Sequence, residues 1–318
     1  MKRYGNIYEY IYSMDNLMFA HKMASKGKAY YREVKRVNKN PEKYLRYIQQ
    51  HLIDGTFTTS EYIFKEIFDG GKTRLLSKLP YFPDRIVHWA IMLQTDHIFM
   101  RSFIDHSYAA IKGRGPHKMV HDIRNFIANN ADMYFMKVDI HKFFPSINGE
   151  RLKEKLDRTF KDKKLIGLFA NIVDSHEGLP IGSYTSQYLG NFYLNDVDYF
   201  LQKLKLHPFR YMDDIVVFGE SKAVLLDGVH EAKALLAVDK LKLKDELSFG
   251  KVGTDVLDIV GYGILSKSIV QVRKKIKMNI HRDIERKNAK SLASYNGWLQ
   301  RSTCRRLQQR VMEELYAV

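Results

Sequence analysis

An α+β fold is predicted for this chain of 318 residues. Hydrophobic residues make up 45% and aromatic residues 13% of the chain, a composition typical of proteins that bury a sizeable core and not of disordered chains. Some stretches repeat apolar residues at helical spacing, whereas others are short runs of β-branched and aromatic residues bounded by turn residues. The two kinds of stretch alternate along the chain, and no solenoid repeat or low-complexity tract interrupts them.

In the first part of the chain, residues 1–55 are predicted to be mostly helical because apolar residues recur on one helical face. A β-hairpin is expected next, with strands Tyr62–Phe68 and Thr73–Leu79 on either side of a Gly-Gly turn. Helices are predicted over Ile86–Met100 and over Pro116–Ala128, since proline suits the first helical turn.

The middle of the chain carries two predicted strand regions. Met133–Ile140 is expected to be a mostly buried strand, with helices around residues 148–160, 164–174 and 185–204 after it. Phe209–Met212 and Ile215–Phe218 are separated only by Asp213-Asp214, which predicts a tight hairpin with both carboxylates at its tip. A helix from about Lys222 to Leu241, a strand around residues 257–265 and a helical C-terminal region complete the pattern.

The charge balance points to a polyanionic partner. The chain has 52 Lys and Arg against 36 Asp and Glu, a formal net charge of +16, which favours nucleic acid or an acidic membrane surface. Residues 266–318 hold 13 of the cationic and only 4 of the acidic residues, so the polyanion is expected at that end. No segment approaches the roughly 18 apolar residues of a membrane helix. The single cysteine, Cys304, excludes an intramolecular disulfide, and we expect a cytoplasmic protein with no membrane partner.

Three carboxylates are the strongest candidates for chemistry. Asp139 ends a predicted strand and Asp213 and Asp214 stand at a predicted hairpin tip, so all three can meet at one edge of a sheet. A turn Asp-Asp is ordinary by itself, but a solvated turn does not need apolar residues on both sides of it. Carboxylates are the ligands that Mg²⁺ prefers, and two such ions promote in-line phosphoryl transfer. The pattern therefore indicates nucleotidyl transfer.

Three motifs resemble those of reverse transcriptases, in the order of that family. Tyr211–Asp214 resembles the Tyr-x-Asp-Asp box, Met136–Ile147 resembles the first catalytic aspartate motif, and Gly178–Gln187 resembles the loop and helix that contact template and incoming nucleotide. The resemblance extends over about residues 60 to 300. Each motif alone is moderately specific, whereas their joint order and spacing are highly specific.

The resemblance implies a right-hand polymerase that copies RNA into DNA. Fingers are expected over residues 1–130, a palm with an antiparallel sheet over 131–265 and a short, basic helical thumb over 266–318. Asp139, Asp213 and Asp214 would be the catalytic carboxylates and, with the backbone carbonyl of Ile140, the ligands of two Mg²⁺ ions, for which Mn²⁺ could substitute. The implied partners are a template RNA, a primer or growing cDNA, and deoxynucleoside triphosphates.

Residue by residue, the resemblance also implies a nucleotide pocket and a primer–template surface. An aromatic side chain under the sugar would select deoxynucleotides, and a glycine would let backbone approach the nucleotide. The nucleotide-binding residues would be Lys72, Arg74, Phe144, Ile181 and Gly182. The primer- or template-binding residues would be Gln187, Tyr211, Met212, Gly261, Tyr262, Arg273, Lys274 and Lys277.

Within the family, the chain most resembles the reverse transcriptases of diversity-generating retroelements. Intron and retroviral enzymes usually have a polar residue at the position of Ile181 and end the motif Ser-Pro, whereas this chain ends it Ser186-Gln187. The segment Ser291–Trp298 resembles the thumb signature of the retroelement group. That group implies errors at template adenines and a small basic accessory protein. An aliphatic Ile181 cannot hydrogen-bond the nucleotide, which fits a weaker check on pairing.

Two alternatives remain open on the sequence. The chain could be a stand-alone phage-defence or intron-derived reverse transcriptase, or a nucleic-acid-binding scaffold with an inactive site. The thumb lacks the Val-Thr-Gly usual in retron enzymes, and the presence of all three aspartates argues against the scaffold.

Smaller side-chain groups rank lower. His117 and His121 are spaced for zinc but lack the glutamate of a metalloprotease, so we interpret them as helix-surface or packing residues. Lys242, Lys244 and Lys251 are candidates to protonate the departing pyrophosphate.

Overall fold

The computed structural model describes residues 3–69 and 72–316; the side chains of Asp69, Lys72 and Arg74 also lie outside the described part. The fold mixes helices with antiparallel sheets, as the α+β prediction required. It divides into two compact units. The first unit comprises Met1–Ile104, His141–Asp196 and Leu236–Leu241, and the second comprises Asp105–Ile140, Val197–Leu235 and Lys242–Val318.

The described helices are α1 Tyr8–Tyr12, α2 Met14–Ser25, α3 Arg32–Lys39, α4 Pro41–Asp54, α5 Ile86–Ser102, α6 Pro116–Ala128, α7 Phe143–Ser146, α8 Gly149–Thr159, α9 Lys163–Asp174, α10 Tyr184–Tyr193, α11 Asn195–Lys203, α12 Lys222–Val238, α13 Lys274–Glu285, α14 Ala289–Leu299 and α15 Arg305–Tyr316. Local signals set several of these bounds. Asn40 caps the first turn of α4 through its side chain, and Gly55 ends the helix in the left-handed conformation at φ +68°. Among residues 3–69 and 72–316, we find no helix with the length and apolar character needed to cross a bilayer.

The described strands are β1 Ile63–Asp69, β2 Lys72–Lys78, β3 Tyr134–Asp139, β4 His207–Tyr211, β5 Asp214–Gly219, β6 Ser248–Lys251, β7 Leu257–Ile259, β8 Tyr262–Ser266 and β9 Ile269–Val272. The hairpin β1–β2 belongs to the first unit. The second unit holds a four-stranded sheet in the order β4-β5-β3-β6 and a three-stranded sheet in the order β7-β8-β9. All of these pairings are antiparallel.

In the first unit, the mostly apolar helix α5 is the central element, and α2 and α10 both pack on it. Its Ile91, Met92 and Ile98 are buried, as are Leu17 of α2 and Leu189 of α10. A 17-residue helix buried on several faces must be apolar nearly all round, which is why the sequence over Ile86–Met100 predicted it well.

In the second unit, one hydrophobic core joins both sheets to the C-terminal helices. Phe135 and Phe218 contribute from the four-stranded sheet, Ile264 from the three-stranded sheet, and Ile280 and Leu299 from helices α13 and α14. The four-residue spacing of Ile276, Ile280 and Ile284 therefore does mark the buried side of α13, although Ile276 is only partly buried.

Two sequence predictions of local structure need correction. The turn between β4 and β5 is Met212-Asp213, and Asp214 is already the first residue of β5, because it pairs with Tyr211 and with Asp139. The single strand predicted over residues 257–265 is instead a hairpin, since Val260 and Gly261 take φ +41° and +86° between β7 and β8. Left-handed backbone at two successive residues is the geometry of a tight hairpin turn, and valine there is unusual.

Candidate active site

The register of the four-stranded sheet brings two of the predicted carboxylates together. Asp139 at the end of β3 pairs directly with Asp214 at the start of β5. Directly opposed residues in an antiparallel pair have their Cβ atoms about 4.5 to 5.5 Å apart. Asp213 occupies the adjoining turn and is half-buried. The second unit thus places the three predicted aspartates at one end of one strand pair.

Each of the opposed carboxylates is bound by a lysine. Lys244 Nζ donates to Asp139 Oδ2 at 2.6 Å, and Lys137 Nζ lies 3.2 Å from Asp214 Oδ1. Burial raises the pKa of the Asp214 carboxyl and the charge of Asp139 adds to the rise, while Lys137 opposes it. The two ammonium groups compensate charges that would otherwise repel each other across the strand pair.

Aspartate carboxylates are suitable ligands for hard divalent ions, although those of Asp139 and Asp214 already contact lysines. Asp139 Oδ1 is buried and accepts no hydrogen bond from any described residue, so this oxygen is free to coordinate a metal ion. Within residues 3–69 and 72–316, no three His, Cys, Asp or Glu side chains are grouped as metal ligands. A divalent ion at this site must therefore compete with Lys137 and Lys244 for the same carboxylates.

The segment that carries Lys244 is tied to the end of β3 by backbone contacts. Ile140 forms an isolated antiparallel bridge with Leu243, and the Lys244 N–H donates to the Asp139 carbonyl at 2.9 Å. These bonds place Lys244 beside Asp139 irrespective of its side chain. Of the three lysines that the sequence singled out around residues 242–251, Lys244 is the one that contacts a predicted catalytic carboxylate.

A buried ion pair supports the turn between β4 and β5. Arg210, the residue before Tyr211, donates from Nε and Nη2 to both oxygens of Asp198, with N–O distances of 2.6 to 2.9 Å and both side chains 0% exposed. Its Nη1 also reaches the carbonyl of Met212 at 3.4 Å. Met212 is buried and left-handed at φ +58°, so the pair stabilises β4 where the chain enters a strained turn.

In the first unit, Phe144 lies in the short helix α7 and is half-buried. Its carbonyl accepts a hydrogen bond from the Leu179 N–H at 2.8 Å. Gly178 has φ +68°, and a Cβ there would lie 2.6 Å from the carbonyl oxygens of both Phe144 and Pro145. Glycine at the start of the predicted nucleotide motif is therefore required by a close approach between two backbone segments.

Ile181 and Gly182 form the turn before α10, and that turn is held against strand β2. The Ser77 N–H donates to the Ile181 carbonyl at 3.1 Å, and Gly182 has φ +112° beside the Ser77 carbonyl. Gln187 follows on α10 and is half-buried. The first unit thus joins the hairpin β1–β2 to the Ile181-Gly182 turn.

The predicted triphosphate contacts fall on the same hairpin. Lys72 pairs with Asp69 and Arg74 with Ile67 in the backbone register, so both residues belong to β2. Their side chains, and the Gly70-Gly71 pair for which the sequence predicted a turn, lie outside the described residues.

The predicted primer-side residues belong to the three-stranded sheet and to the residues that follow it. Gly261 is in the β7–β8 turn, and Arg273, Lys274 and Lys277 stand at the start of α13, where Arg273 is ion-paired with Asp258. The Arg273 N–H donates to the Gly261 carbonyl at 3.0 Å. Lys274 is exposed, and Lys277 Nζ donates to Gln271 Oε1 at 2.7 Å.

The side chain of Tyr262 is directed into the core and not toward a surface. It is fully buried, its ring stacks on Trp298 with centroids 5.2 Å apart, and its hydroxyl donates to the Trp298 carbonyl at 3.1 Å. His117 Nδ1 lies 3.1 Å from the same hydroxyl, so it is a packing partner of Tyr262. A contact of this ring with a primer would need the core to open, because stacking and burial already occupy it.

Sequence reasoning missed Lys137 and Arg210. A local signal existed for Lys137, because it stands two residues before Asp139 and strand side chains repeat on one face at that spacing. Its ammonium also donates to the carbonyl of Asp258 at 3.0 Å, linking the two sheets of the second unit. Arg210 had no such signal, since its partner Asp198 lies on helix α11.

The comparisons with known proteins agree with the motifs. The family model for reverse transcriptase (RNA-dependent DNA polymerase) matches residues 65–255. Nuclear intron maturase 1, mitochondrial, of Arabidopsis thaliana is 30% identical over 100 residues, covering 31% of this chain and 14% of that protein. Retron Ec73 reverse transcriptase of Escherichia coli is 31% identical over 141 residues, covering 37% of this chain and 43% of that protein.

Two further matches are weaker. An uncharacterized 91 kDa protein in the cob intron of Schizosaccharomyces pombe is 24% identical over 230 residues, covering 68% of this chain and 27% of that protein. Apo telomerase from Candida tropicalis, truncated from its C-terminal domain, aligns with a TM-score of 0.49 and 13% identity over 76% of this chain and 60% of that one.

The chain spans less than half the length of each of the curated relatives. The family match nevertheless covers more than half of this chain and includes all three predicted aspartates. On these grounds the chain belongs to the reverse transcriptase family, the RNA-dependent DNA polymerases.

Proposed function

We propose that this protein is an RNA-directed DNA polymerase that extends a primer on a template RNA with deoxynucleotides. The observation that carries the proposal is the pairing of Asp139 with Asp214, with Asp213 in the adjoining turn, in a chain of this family. Reverse transcriptase domains generally depend on divalent metal ions. Two Mg²⁺ ions at these carboxylates would stabilise the charge that develops when a primer 3′-hydroxyl attacks the nucleotide α-phosphate.

The residues of this chain have distinct tasks in the proposal. Asp139, Asp213, Asp214 and the Ile140 carbonyl supply the oxygen ligands, and Mn²⁺ is the expected substitute ion. Lys244 holds the Asp139 carboxylate until a divalent ion competes for it. Once an ion has replaced it on Asp139, the Lys244 ammonium would lie next to the reacting phosphates. From there it would donate a proton to the departing pyrophosphate.

The nucleotide and the nucleic acid are assigned to the other predicted residues. Phe144 would select against a 2′-hydroxyl, and the Ile181-Gly182 turn with Lys72 and Arg74 would receive the incoming nucleotide. Gln187, Tyr211, Met212, Gly261, Arg273, Lys274 and Lys277 would contact primer or template, with Tyr262 acting through its packing. The basic C-terminal helices would bind phosphates without reading bases, which makes affinity salt-dependent.

The same proposal includes a division of the chain into fingers, palm and thumb, at residues 1–130, 131–265 and 266–318. The antiparallel sheet with the three aspartates supports the palm. The cationic helices α13–α15, with 13 basic residues after residue 265, support the thumb. A cytoplasmic location, where nucleotides and RNA are available, is part of the proposal.

We further propose that the enzyme belongs to a diversity-generating retroelement, makes errors at template adenines and works with a small basic accessory protein. The support is the aliphatic Ile181, the Ser186-Gln187 ending and the Ser291–Trp298 segment. The Ile181 backbone is held by Ser77, so its side chain has a defined position from which no hydrogen bond to a nucleotide is available.

A second candidate is a stand-alone phage-defence or intron-derived reverse transcriptase. The local similarities to a retron enzyme and to an intron maturase favour it. Both candidates share the chemistry and differ in fidelity and partners.

Primer extension by the full chain on a defined RNA template tests the proposal. Asp213→Asn is expected to lower the rate by at least about a hundredfold, since it removes a charge from the proposed metal ligands. Asp245→Asn is the matched control, because it makes the same chemical change at an exposed residue. Equal rates for Asp213→Asn and the wild type would contradict the assignment.

Sequencing the cDNA separates the two candidates. Errors concentrated opposite adenine support the retroelement assignment, whereas faithful cDNA supports the defence or intron-derived enzyme. Absence of extension, even with the native RNA and a basic accessory protein added, would favour the inactive scaffold.

A further inference from the structure

Lys137 stands in the middle of β3, on the face that carries the predicted carboxylate Asp139. Side chains two residues apart on a strand share a face, so Phe135, Lys137 and Asp139 form one row. On the paired strand β5, Val216 lies opposite Lys137 and Asp214 lies opposite Asp139. Phe135 and Val216 belong to the hydrophobic core of the second unit. Lys137 therefore lies where this core meets the acidic end of the strand pair.

The ammonium group of Lys137 has two partners. Its Nζ lies 3.2 Å from Asp214 Oδ1 and donates to the Asp258 carbonyl at 3.0 Å. The side chains of Lys137 and Asp214 are only 24% and 27% exposed, and Asp214 Oδ1 itself is buried. Solvent therefore screens this contact less than it screens a surface ion pair. Because a carboxylate and a backbone carbonyl hold the same ammonium group, its position is fixed from two sides.

The second partner of Lys137 connects it to the predicted primer-side residues. Asp258 lies in β7, and its carboxylate is ion-paired with Arg273 at the start of α13. The Arg273 N–H in turn donates to the carbonyl of Gly261, in the turn between β7 and β8. A continuous series of contacts within the second unit therefore runs from Asp214 through Lys137 to the β7–β8 hairpin.

Lys244 is held differently. In the described part of the chain, its ammonium group donates to one acceptor, Asp139 Oδ2, and its side chain is 38% exposed. A divalent ion that binds Asp139 leaves this ammonium group free to turn into solvent. The Lys137 ammonium, in contrast, keeps the Asp258 carbonyl as an acceptor when an ion approaches Asp214, and the Asp214 oxygen that it faces is buried. The two lysines beside the carboxylates are therefore suited to different roles.

We propose that Lys137 is a positioning residue that stays on Asp214 while divalent ions bind, and so holds this carboxylate in a fixed place relative to the β7–β8 hairpin. Lys137 acts through Asp214 and not by contact with the nucleotide or the primer. The inference rests on the proposed function, because it concerns the carboxylates assigned to the metal ions.

Primer extension by the full chain is the kinetic test. Lys137→Met keeps an unbranched side chain but removes the charge and both contacts. Its kcat is expected to fall about tenfold to hundredfold, the usual loss when a residue that orients metal ligands is replaced. The KM for the deoxynucleotide should change by less than about threefold, since the predicted nucleotide-binding residues are untouched. Lys137→Arg should restore kcat to within about fivefold of the wild type, because a guanidinium can donate to a carboxylate and a carbonyl together.

Lys118→Met is the matched control. Lys118 also contacts an aspartate within the second unit, because its Nζ donates to Asp122 at 2.7 Å, but this pair lies on α6. Its kcat should stay within about twofold of the wild type. Urea unfolding of each variant establishes that it is folded. Lys137→Gln, which keeps a hydrogen-bond donor without the charge, takes the place of Lys137→Met if the latter does not fold.

The lysine ammonium groups give a readout without catalysis. In the isotopically labelled full chain, the ammonium resonances of Lys137 and Lys244 are identified by their loss in Lys137→Arg and Lys244→Arg. An ammonium group held by protein acceptors exchanges its hydrogens with water slowly enough to be observed by NMR, whereas one released into solvent does not. Addition of Mg²⁺ is expected to remove the Lys244 signal and to leave the Lys137 signal.

Each outcome bears on the proposal. A selective fall of kcat in Lys137→Met, its recovery in Lys137→Arg and a Lys137 signal that persists in Mg²⁺ support it. An equal fall in Lys118→Met, or a fall that Lys137→Arg does not recover, would overturn it. Loss of the Lys137 signal in Mg²⁺ would also overturn it, since Lys137 would then compete with the ions as Lys244 does.

The wild type separates this inference from the proposed function. An active wild type with an equally active Lys137→Met would contradict only the role of Lys137. A wild type that never extends a primer would contradict the proposed function and, with it, the role that rests on it.

Discussion

Replacing Arg210 by methionine is expected to destabilise the second unit by about 3 to 5 kcal/mol, because the Asp198 carboxylate would remain buried without its counter-charge. Both side chains are 0% exposed, and three N–O contacts of 2.6 to 2.9 Å join them. Full burial means that solvent does not screen the loss. The typical stability of a folded domain is about 5 to 15 kcal/mol, so this one substitution removes a large share of it.

A double variant gives the control. Arg210→Met combined with Asp198→Leu removes both charges and fills the space with apolar atoms, so it is expected to recover most of the lost free energy of unfolding. Asp198→Leu alone should be as damaging as Arg210→Met alone, since it leaves the guanidinium buried. The difference between the singles and the double measures the coupling energy of the pair.

Urea unfolding followed by tryptophan fluorescence is a suitable assay, because Trp298 is the tryptophan of the second unit and Trp89 that of the first. The midpoint and slope for the wild type, both singles and the double give the four free energies of unfolding. A cost below about 1 kcal/mol for Arg210→Met, or a double variant no more stable than the singles, would refute the reasoning that this buried pair supports the turn.

Three more changes have defined outcomes. Lys244→Gln is expected to tighten Mn²⁺ binding about threefold to tenfold by calorimetry, because an ammonium no longer competes for Asp139; unchanged affinity would contradict that competition. Burial lowers the pKa of His88 to about 4, so its neutral form contributes stability above pH 6.5 that is lost as the pH falls toward 4. Between pH 7 and pH 4, the free energy of unfolding should therefore fall by about 3 kcal/mol less for His88→Asn than for the wild type. Equal losses in the two proteins, measured by urea unfolding at both pH values, would oppose this. Gly261→Ala should cost about 2 kcal/mol in thermal unfolding, because Gly261 has φ +86° and a Cβ there would lie 2.4 Å from a carbon of the Trp298 indole. Gly253→Ala is the control: Gly253 has a similar φ of +79° but open space around it, so the cost should be only about half as large.

Much of the local structure was predictable because its signals are short. Apolar periodicity identified the buried helix α5, Pro116 marked the start of α6, and the strand ending at Asp139 followed from a run of apolar and aromatic residues. The hairpin at Asp213 and Asp214 was also predicted, but its turn was placed one residue too late. Pairing of Asp214 with Asp139 decides that register, and a pairing between distant strands has no local signal.

The hairpin β7–β8 was missed for a related reason. An apolar run over residues 257–265 predicts one strand, and Val260 in a left-handed turn contradicts the ordinary preference of a β-branched residue. The close approach of Gly261 to Trp298 accounts for the glycine, and this contact connects parts of the chain that are far apart in sequence.

By itself, the sequence determined the α+β class, the family and the three aspartates, because each depends on composition or on motifs of a few adjacent residues. Tertiary structure alone decided that Lys244 reaches Asp139 across 105 positions. It also paired Arg210 with Asp198, which lies on a helix and is not one of the three aspartates. Ion pairs and uncompensated charges depend on how distant elements pack, and burial, which sets their strength, exists only once the chain has folded.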